Sequence, residues 1–160
     1  MCHFLSKGLL ITNAVFVTLF LSTFPGWSQS IFESVRVTPK FTPDPMTIRG
    51  VSGGPIPATN VAQMEDTETG SCVGFVDKEP DHTLTLTSFF DFLSLQIDSS
   101  QDTTLVIKGP GGTWCVDDAR NNKNPSVAGQ WLEGNYEVWV GSYTQDEYHP
   151  YVISISQQRK

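Results

Sequence analysis

Apolar and polar residues alternate with a period of two along much of the chain from Cys72 onward. Thr83-Leu84-Thr85-Leu86-Thr87 alternates strictly, and Phe92-Leu93-Ser94-Leu95-Gln96-Ile97 places Leu93, Leu95 and Ile97 on one face. Tyr136-Glu137-Val138-Trp139-Val140, preceded by Gly134-Asn135, and Tyr151-Val152-Ile153-Ser154-Ile155 follow the same rule. A period of two sends successive side chains to opposite sides of an extended backbone, so each run predicts a strand with one buried face. Thr103 to Lys108 is β-branched and apolar, Gly109-Pro110-Gly111-Gly112 supplies turn residues, and Thr113-Trp114-Cys115-Val116 resumes the strand pattern. That is a β-hairpin. With Pro110-Gly111 as its turn, Leu105 faces Val116 and Ile107 faces Trp114. Asp102 then lies beside the Asp117-Asp118 end. Leu105, Ile107, Trp114 and Val116 share one face, with Thr104, Val106, Cys115 and Asp117 on the other.

Earlier in the chain, Thr47 to Val51 predicts a first strand broken by Ser52-Gly53-Gly54-Pro55, and Gly54 to Gly70 reads as polar surface loop. Seven or eight short strands with turn signals every eight to twelve residues predict an all-β fold, an antiparallel β-sandwich or jelly roll. Composition narrows this further. The 160 residues suit one domain, and ten Phe and four Trp exclude disorder throughout. Thirteen Gly and ten Pro, without apolar runs at a period of 3.6, argue against a helical bundle. A net charge of −7 argues against a nucleic-acid partner.

Residues Leu9 to Phe24 form an uncharged apolar stretch preceded by Lys7 and followed by Pro25-Gly26-Trp27-Ser28 and polar Gln29. A basic start, an apolar segment of that length and small residues at Gly26 and Ser28 predict a secretory signal peptide over 1–28. The competing reading is a membrane anchor. The stretch is shorter than the roughly 20 residues that span a bilayer, and no basic cluster follows it. No membrane span is expected once the leader is removed, and the destination is secreted or periplasmic. Residues 29–46, with Pro39, Pro43 and Pro45, read as an extended N-terminal linker, and 47–160 as the domain.

Cys2 leaves with the leader, so Cys72 and Cys115 remain. In an oxidising compartment an even pair predicts one disulfide, closing a loop of about 44 residues and stabilising by roughly 4 kcal/mol in the chain-entropy model. Two buried free thiols are the alternative.

Three stretches together resemble the bacterial pre-peptidase C-terminal domain family. They are Asp102-Thr103-Thr104-Leu105, the Gly-x-Tyr-x-Val-x-Val element Gly134-Asn135-Tyr136-Glu137-Val138-Trp139-Val140, and the closing Tyr151-Val152-Ile153-Ser154-Ile155. The similarity covers about Thr47 to Gln157. It implies a β-sandwich of the kind appended to secreted peptidases for export, targeting or substrate attachment, some relatives of which bind calcium. The first motif departs from the family at Thr104, where a second Asp is expected, which weakens the transfer of a family-type metal site. With no peptidase segment in the chain, the resemblance implies a stand-alone exported module.

Few residues offer chemistry. Gly50-Val51-Ser52-Gly53-Gly54 is similar to the nucleophile stretch of trypsin-like peptidases. Such a serine needs a His oriented by a carboxylate, and the one His before Ser52 is His3, inside the leader. A glycine-rich bend explains the stretch without catalysis. Asp102, Asp117, Asp118 and Asn121 gather hard oxygen ligands of the kind Ca²⁺ takes, although Asp and Asn also cap turns. Trp131, Trp139 and Tyr143 are candidates for an exposed aromatic platform for sugars or a partner protein; the alternative puts Trp139 in the core. His82 and His149 stand apart from any zinc-ligand spacing.

The function expected from these readings is a non-catalytic, exported binding or adhesion module that attaches to a surface polymer or a secreted protein, with calcium as its one candidate cofactor. An accessory or inhibitory partner of a separately encoded secreted peptidase is the alternative. A small hydrolase using Ser52 or a carboxylate pair ranks last.

Overall fold

The structure, a computed structural model, describes residues 33–118 and 123–159. The sequence-predicted leader, Cys2 and Asn121 lie outside them. The strands are β1 (Ser34–Val37), β2 (Met46–Ser52), β3 (Ile56–Pro57), β4 (Asp66–Thr67), β5 (Gly70–Ser71), β6 (Phe75–Val76), β7 (His82–Leu86), β8 (Phe90–Ser99), β9 (Thr103–Gly109), β10 (Gly112–Val116), β11 (Ser126–Trp131), β12 (Gly134–Ser142) and β13 (His149–Ser156). A one-turn helix, α1 (Ala58–Ala62), follows β3. Among the described residues no helix is long and apolar enough to cross a membrane.

Two sheets face each other. One runs β1-β7-β12-β9-β10, with β6 and β3 continuing beside the far end of β12. The other runs β11-β8-β13-β2. Every pairing is antiparallel except that of β1 with β7. Eight strands of five residues or more carry the sandwich, as the spacing of turns predicted. The hairpin register is the expected one, with Val116 opposite Leu105 and Trp114 opposite Ile107.

The inward face of each strand supplies the core. Leu84, Leu86, Leu105, Ile107, Tyr136, Val138 and Val140 from one sheet meet Leu93, Leu95, Ile97, Tyr151, Ile153 and Ile155 from the other. Burying each such aliphatic side chain contributes roughly 1.5–3 kcal/mol, which is what holds two otherwise marginal sheets together. Gly50 leaves room for this packing, because a Cβ there would run into the hydroxyl end of Tyr151.

Two departures from the sequence reading have physical causes. The expected linker 29–46 contributes β1, which pairs with β7 and buries Val37 completely, and Phe41 is buried in the same core. Two inward side chains among prolines are too few to register as a period. Residues 54–70 are more than surface loop. Ala58 and Ala62, one turn apart on α1, pack with Cys72, Val76, Val106, Cys115 and Trp139 into a second small core on the outer side of the first sheet. The Cys72–Cys115 disulfide, with Cα atoms 5.0 Å apart, fastens this covering segment to β10.

Candidate functional site

Among the described residues, the outer face of the four-stranded sheet is open, whereas part of its partner's outer face is covered by α1 and Cys72. Its side chains follow from the register. Ser126 on β11, Gln96 on β8, Ser154 on β13 and Thr47 on β2 form one row across the strands. Ala128, Ser94 and Ser156 form the next row, and Asp98, Val152 and Arg49 form a third. Pro45, Phe92 and Gln158 close one end, leaving a groove of about 450 Å³. Strands lie close to 4.8 Å apart, so each row sets hydrogen-bonding groups at that interval.

Part of this polar surface is already organised. Ser94 Oγ donates to the Ser156 carbonyl at 3.2 Å, and Ser156 Oγ accepts from the Gln158 N–H at 3.1 Å. The Arg159 guanidinium lies 4.6 Å from the centre of the Phe92 ring and donates to the Asp91 carbonyl. Phe92 is out of phase with Phe90, which points inward, because the β8–β11 register shifts between Gly129 and Trp131. The sequence reading missed this face. Its signal was present in β8 and β13, whose outward positions include Ser94, Gln96, Ser154 and Ser156.

Ser52 and His82, which the sequence offered for chemistry, are engaged inside the fold. Ser52 is fully buried, its Oγ 2.9 Å from Ser142 Oγ, so no substrate reaches it. His82 is buried too. Its Nε2 lies 2.8 Å from the Tyr151 hydroxyl, and its Nδ1 faces the backbone of Glu33 at 3.1 Å from the carbonyl oxygen. Burial, the largest cause, lowers the His82 pKa, opposed by the Glu33 backbone and the Glu33 charge. Asp81 Oδ2 accepts the Val140 N–H at 2.7 Å, while Oδ1 has no partner among the described residues. Burial pushes the Asp81 carboxyl up to about 7; the Val140 hydrogen bond works against this and the Asp77 charge adds to it. His149 makes a surface contact with Glu147 at 3.4 Å. These groups do not assemble into a nucleophile, a base and an orienting acid.

Asp102, Asp117 and Asp118 do come together, with one carboxylate oxygen of each within 4.8 Å of the other two. Strand β9 begins just after Asp102 and β10 ends just before Asp117, so hairpin register alone brings them there. Burial, then the charges of Asp118 and Asp102, raise the Asp117 pKa. Asp102 Oδ1 and Asp117 Oδ1 are buried without a hydrogen-bond donor among the described residues. Two orphaned acceptors and a third carboxylate suit a hard divalent cation such as Ca²⁺, which prefers oxygen ligands at flexible geometry. Asn124 has a structural task instead: it accepts from Thr103 Oγ1 and donates to the Ser99 carbonyl, both at 2.7 Å.

The expected aromatic platform does not form. Trp131 is buried, donates from Nε1 to the Leu93 carbonyl at 3.0 Å, and packs against Trp114 and Tyr136. Trp139 is buried on the opposite side of the sheet, in the second core. Of the three, Tyr143 alone is exposed, in the turn after β12. Alternation correctly set Trp139 apart from Tyr136 and Val138, but that outer side is roofed by residues some 70 positions earlier in the chain.

No family model matches the chain. An uncharacterized protein of Synechococcus elongatus is 26% identical over 104 residues, spanning 62% of this chain and 76% of that protein. Among solved structures, the chain is similar to the pre-peptidase C-terminal domain of a collagenase from Bacillus anthracis, at 14% identity and a TM-score of 0.44 over 78% of this chain and 95% of that one. It is also similar to PliG of Aeromonas hydrophila, a periplasmic inhibitor of g-type lysozyme, at 15% identity and a TM-score of 0.40 over 78% and 96%. Likenesses this distant decide neither family nor function.

Proposed function

We propose that the chain is a non-catalytic binding module, exported after loss of its leader, that attaches to a surface polymer through the outer face of the β11-β8-β13-β2 sheet. The observation that carries this reading is a contrast of placement. Ser52, Asp81 and His82 are buried and hydrogen-bonded within the fold, while an open groove of about 450 Å³ is lined mainly by Ser and Gln side chains. A rigid sheet presents such groups with little entropy left to lose on binding. The Cys72–Cys115 bridge supports an oxidising destination, since such bonds persist outside reducing compartments.

The test is sedimentation with the insoluble polymer fraction of a bacterial cell envelope. The chain is expected to pellet with it, and the double variant Gln96→Arg, Ser154→Arg, which fills the groove with two long charged side chains, is expected to stay in solution. Equal pelleting of both proteins, or failure of the native chain to pellet, overturns the reading.

A further inference from the structure

We infer that the ligand of this face is an electrically neutral polysaccharide strand; the inference rests on the binding role proposed above and names the chemistry of its partner. Three observations converge on it.

The first concerns the backbone. β8 and β13 are interior strands, each paired on both sides, so their N–H and C=O groups are taken up in the ladders. An extended peptide therefore cannot join the groove as an added strand, the mode by which sheets most readily take up unfolded protein. Recognition falls to side chains alone.

The second concerns what those side chains offer. Ser126, Ser154 and Gln96 make no side-chain hydrogen bond to another described residue, and Ser156 Oγ, which accepts from Gln158, keeps its own proton to donate. A hydroxyl or a primary amide gives and receives hydrogen bonds alike. Sugar hydroxyls have the same double capacity, whereas phosphate or sulfate only accepts and an ammonium only donates. Ala128 and the serines keep the floor low, and half-buried Phe92, over whose ring the Arg159 guanidinium lies, adds an apolar edge to the wall.

The third is charge. Asp98 is the single ionisable residue lining the groove, in a chain of net charge −7. Arg49 lies in the same cross-strand row beyond Val152 and Arg159 stacks on Phe92, so charges of both signs flank the groove and neither a polyanion nor a polycation meets a uniformly complementary field. A neutral chain loses nothing on either count.

The experiment is calorimetric and NMR titration of the disulfide-bonded chain with neutral hexasaccharides, α-1,4- and β-1,4-linked glucans, against an anionic hexagalacturonate. At least one neutral hexasaccharide is expected to bind and to shift amide signals of β8 and β13. Binding is expected to weaken roughly tenfold in Gln96→Ala and in Ser154→Ala, the loss of one or two polar contacts, with the melting temperature held. Ser154→Trp, which fills the floor, is expected to abolish it. If both neutral glucans leave these signals unmoved at millimolar concentration while the hexagalacturonate shifts them, the neutral class is wrong and the binding face stands. If a neutral glucan binds but the three variants bind it as the native chain does, both the inference and the binding face fall. If no saccharide shifts the face, the inference is overturned, and the sedimentation experiment decides the face separately.

Discussion

His82 on β7 and Tyr151 on β13 join the two sheets through the core: Nε2 and the hydroxyl oxygen lie 2.8 Å apart, and the rings meet edge to face at 85°. A hydrogen bond at this depth has no water to replace it. Tyr151→Phe, which keeps the ring and removes the oxygen, leaves a buried imidazole nitrogen unpaired and is expected to cost about 1–3 kcal/mol in urea unfolding. An unchanged midpoint would mean that the pair contributes nothing.

Asp81, next to it in the chain, sets the response to pH. Its carboxyl is held up to about 7 in the folded protein, while an unfolded aspartate releases its proton near 3.9. Between those values the folded state holds the extra proton. The contribution of Asp81 is therefore full below the unfolded pKa and declines as pH rises toward 7. His82 acts in the opposite sense, since its lowered pKa means that acidification below the ordinary histidine range favours the unfolded chain. Asp81→Asn keeps an acceptor for the Val140 N–H and never ionises. Thermal unfolding is expected to show this variant more stable than the native chain at pH 8, by a smaller margin at pH 5, and close to it only below about pH 4. A uniform loss at these pH values would contradict the assignment.

The disulfide gives a second measure of the covering segment. Native protein is expected to show no titratable thiol before reduction, and reduction is expected to lower stability by roughly 4 kcal/mol in the chain-entropy model. The loss should be greatest for the small core of Ala58, Ala62 and Trp139, which Cys72 and Cys115 themselves help to build. Two reactive thiols in untreated protein would remove the argument for an oxidising destination.

The acidic cluster makes a separate prediction. Three carboxylates within 4.8 Å repel one another, and a bound divalent cation relieves that repulsion. Millimolar Ca²⁺ is expected to raise the melting temperature of the native chain, and Asp118→Ala is expected to abolish the gain. A melting temperature that ignores Ca²⁺ in the native chain would end the assignment of a cation site here.

Gly53 offers a test of backbone geometry. It sits at φ +99°, and a Cβ there would run into the Glu147 carbonyl. Gly53→Ala combines a disfavoured conformation with a clash against backbone that cannot swing aside, so about 2 kcal/mol or more of destabilisation is expected by chemical denaturation. A loss within a few tenths of a kcal/mol would show that the turn yields.

The parts of the fold that were legible in the sequence are those where one strand carries its own signal. Leu93, Leu95 and Ile97, or Tyr136, Val138 and Val140, specify an inward face without reference to any partner, and the Pro110-Gly111 turn fixes a register that brings Asp102 to Asp117. The illegible parts depend on distant segments. β11 (Ser-Val-Ala-Gly-Gln-Trp) has little alternation, because a register shift and two small residues break its period. Trp139 looks outward until α1 and Cys72 cover it. The groove emerges when β8, β11 and β13 align their serines and glutamine side by side, a relation that no single stretch contains.

The roof formed by α1 and the sulfur bridge makes the two broad sides of the domain unequal. Among the described residues, one is partly covered by its own chain, with Asn135 and Glu137 exposed beyond the cover, and the other carries no such cover. On the binding role proposed above, a single copy would clasp one strand through that face, and tying two strands together would call for a second molecule joined to it back to back or along an edge.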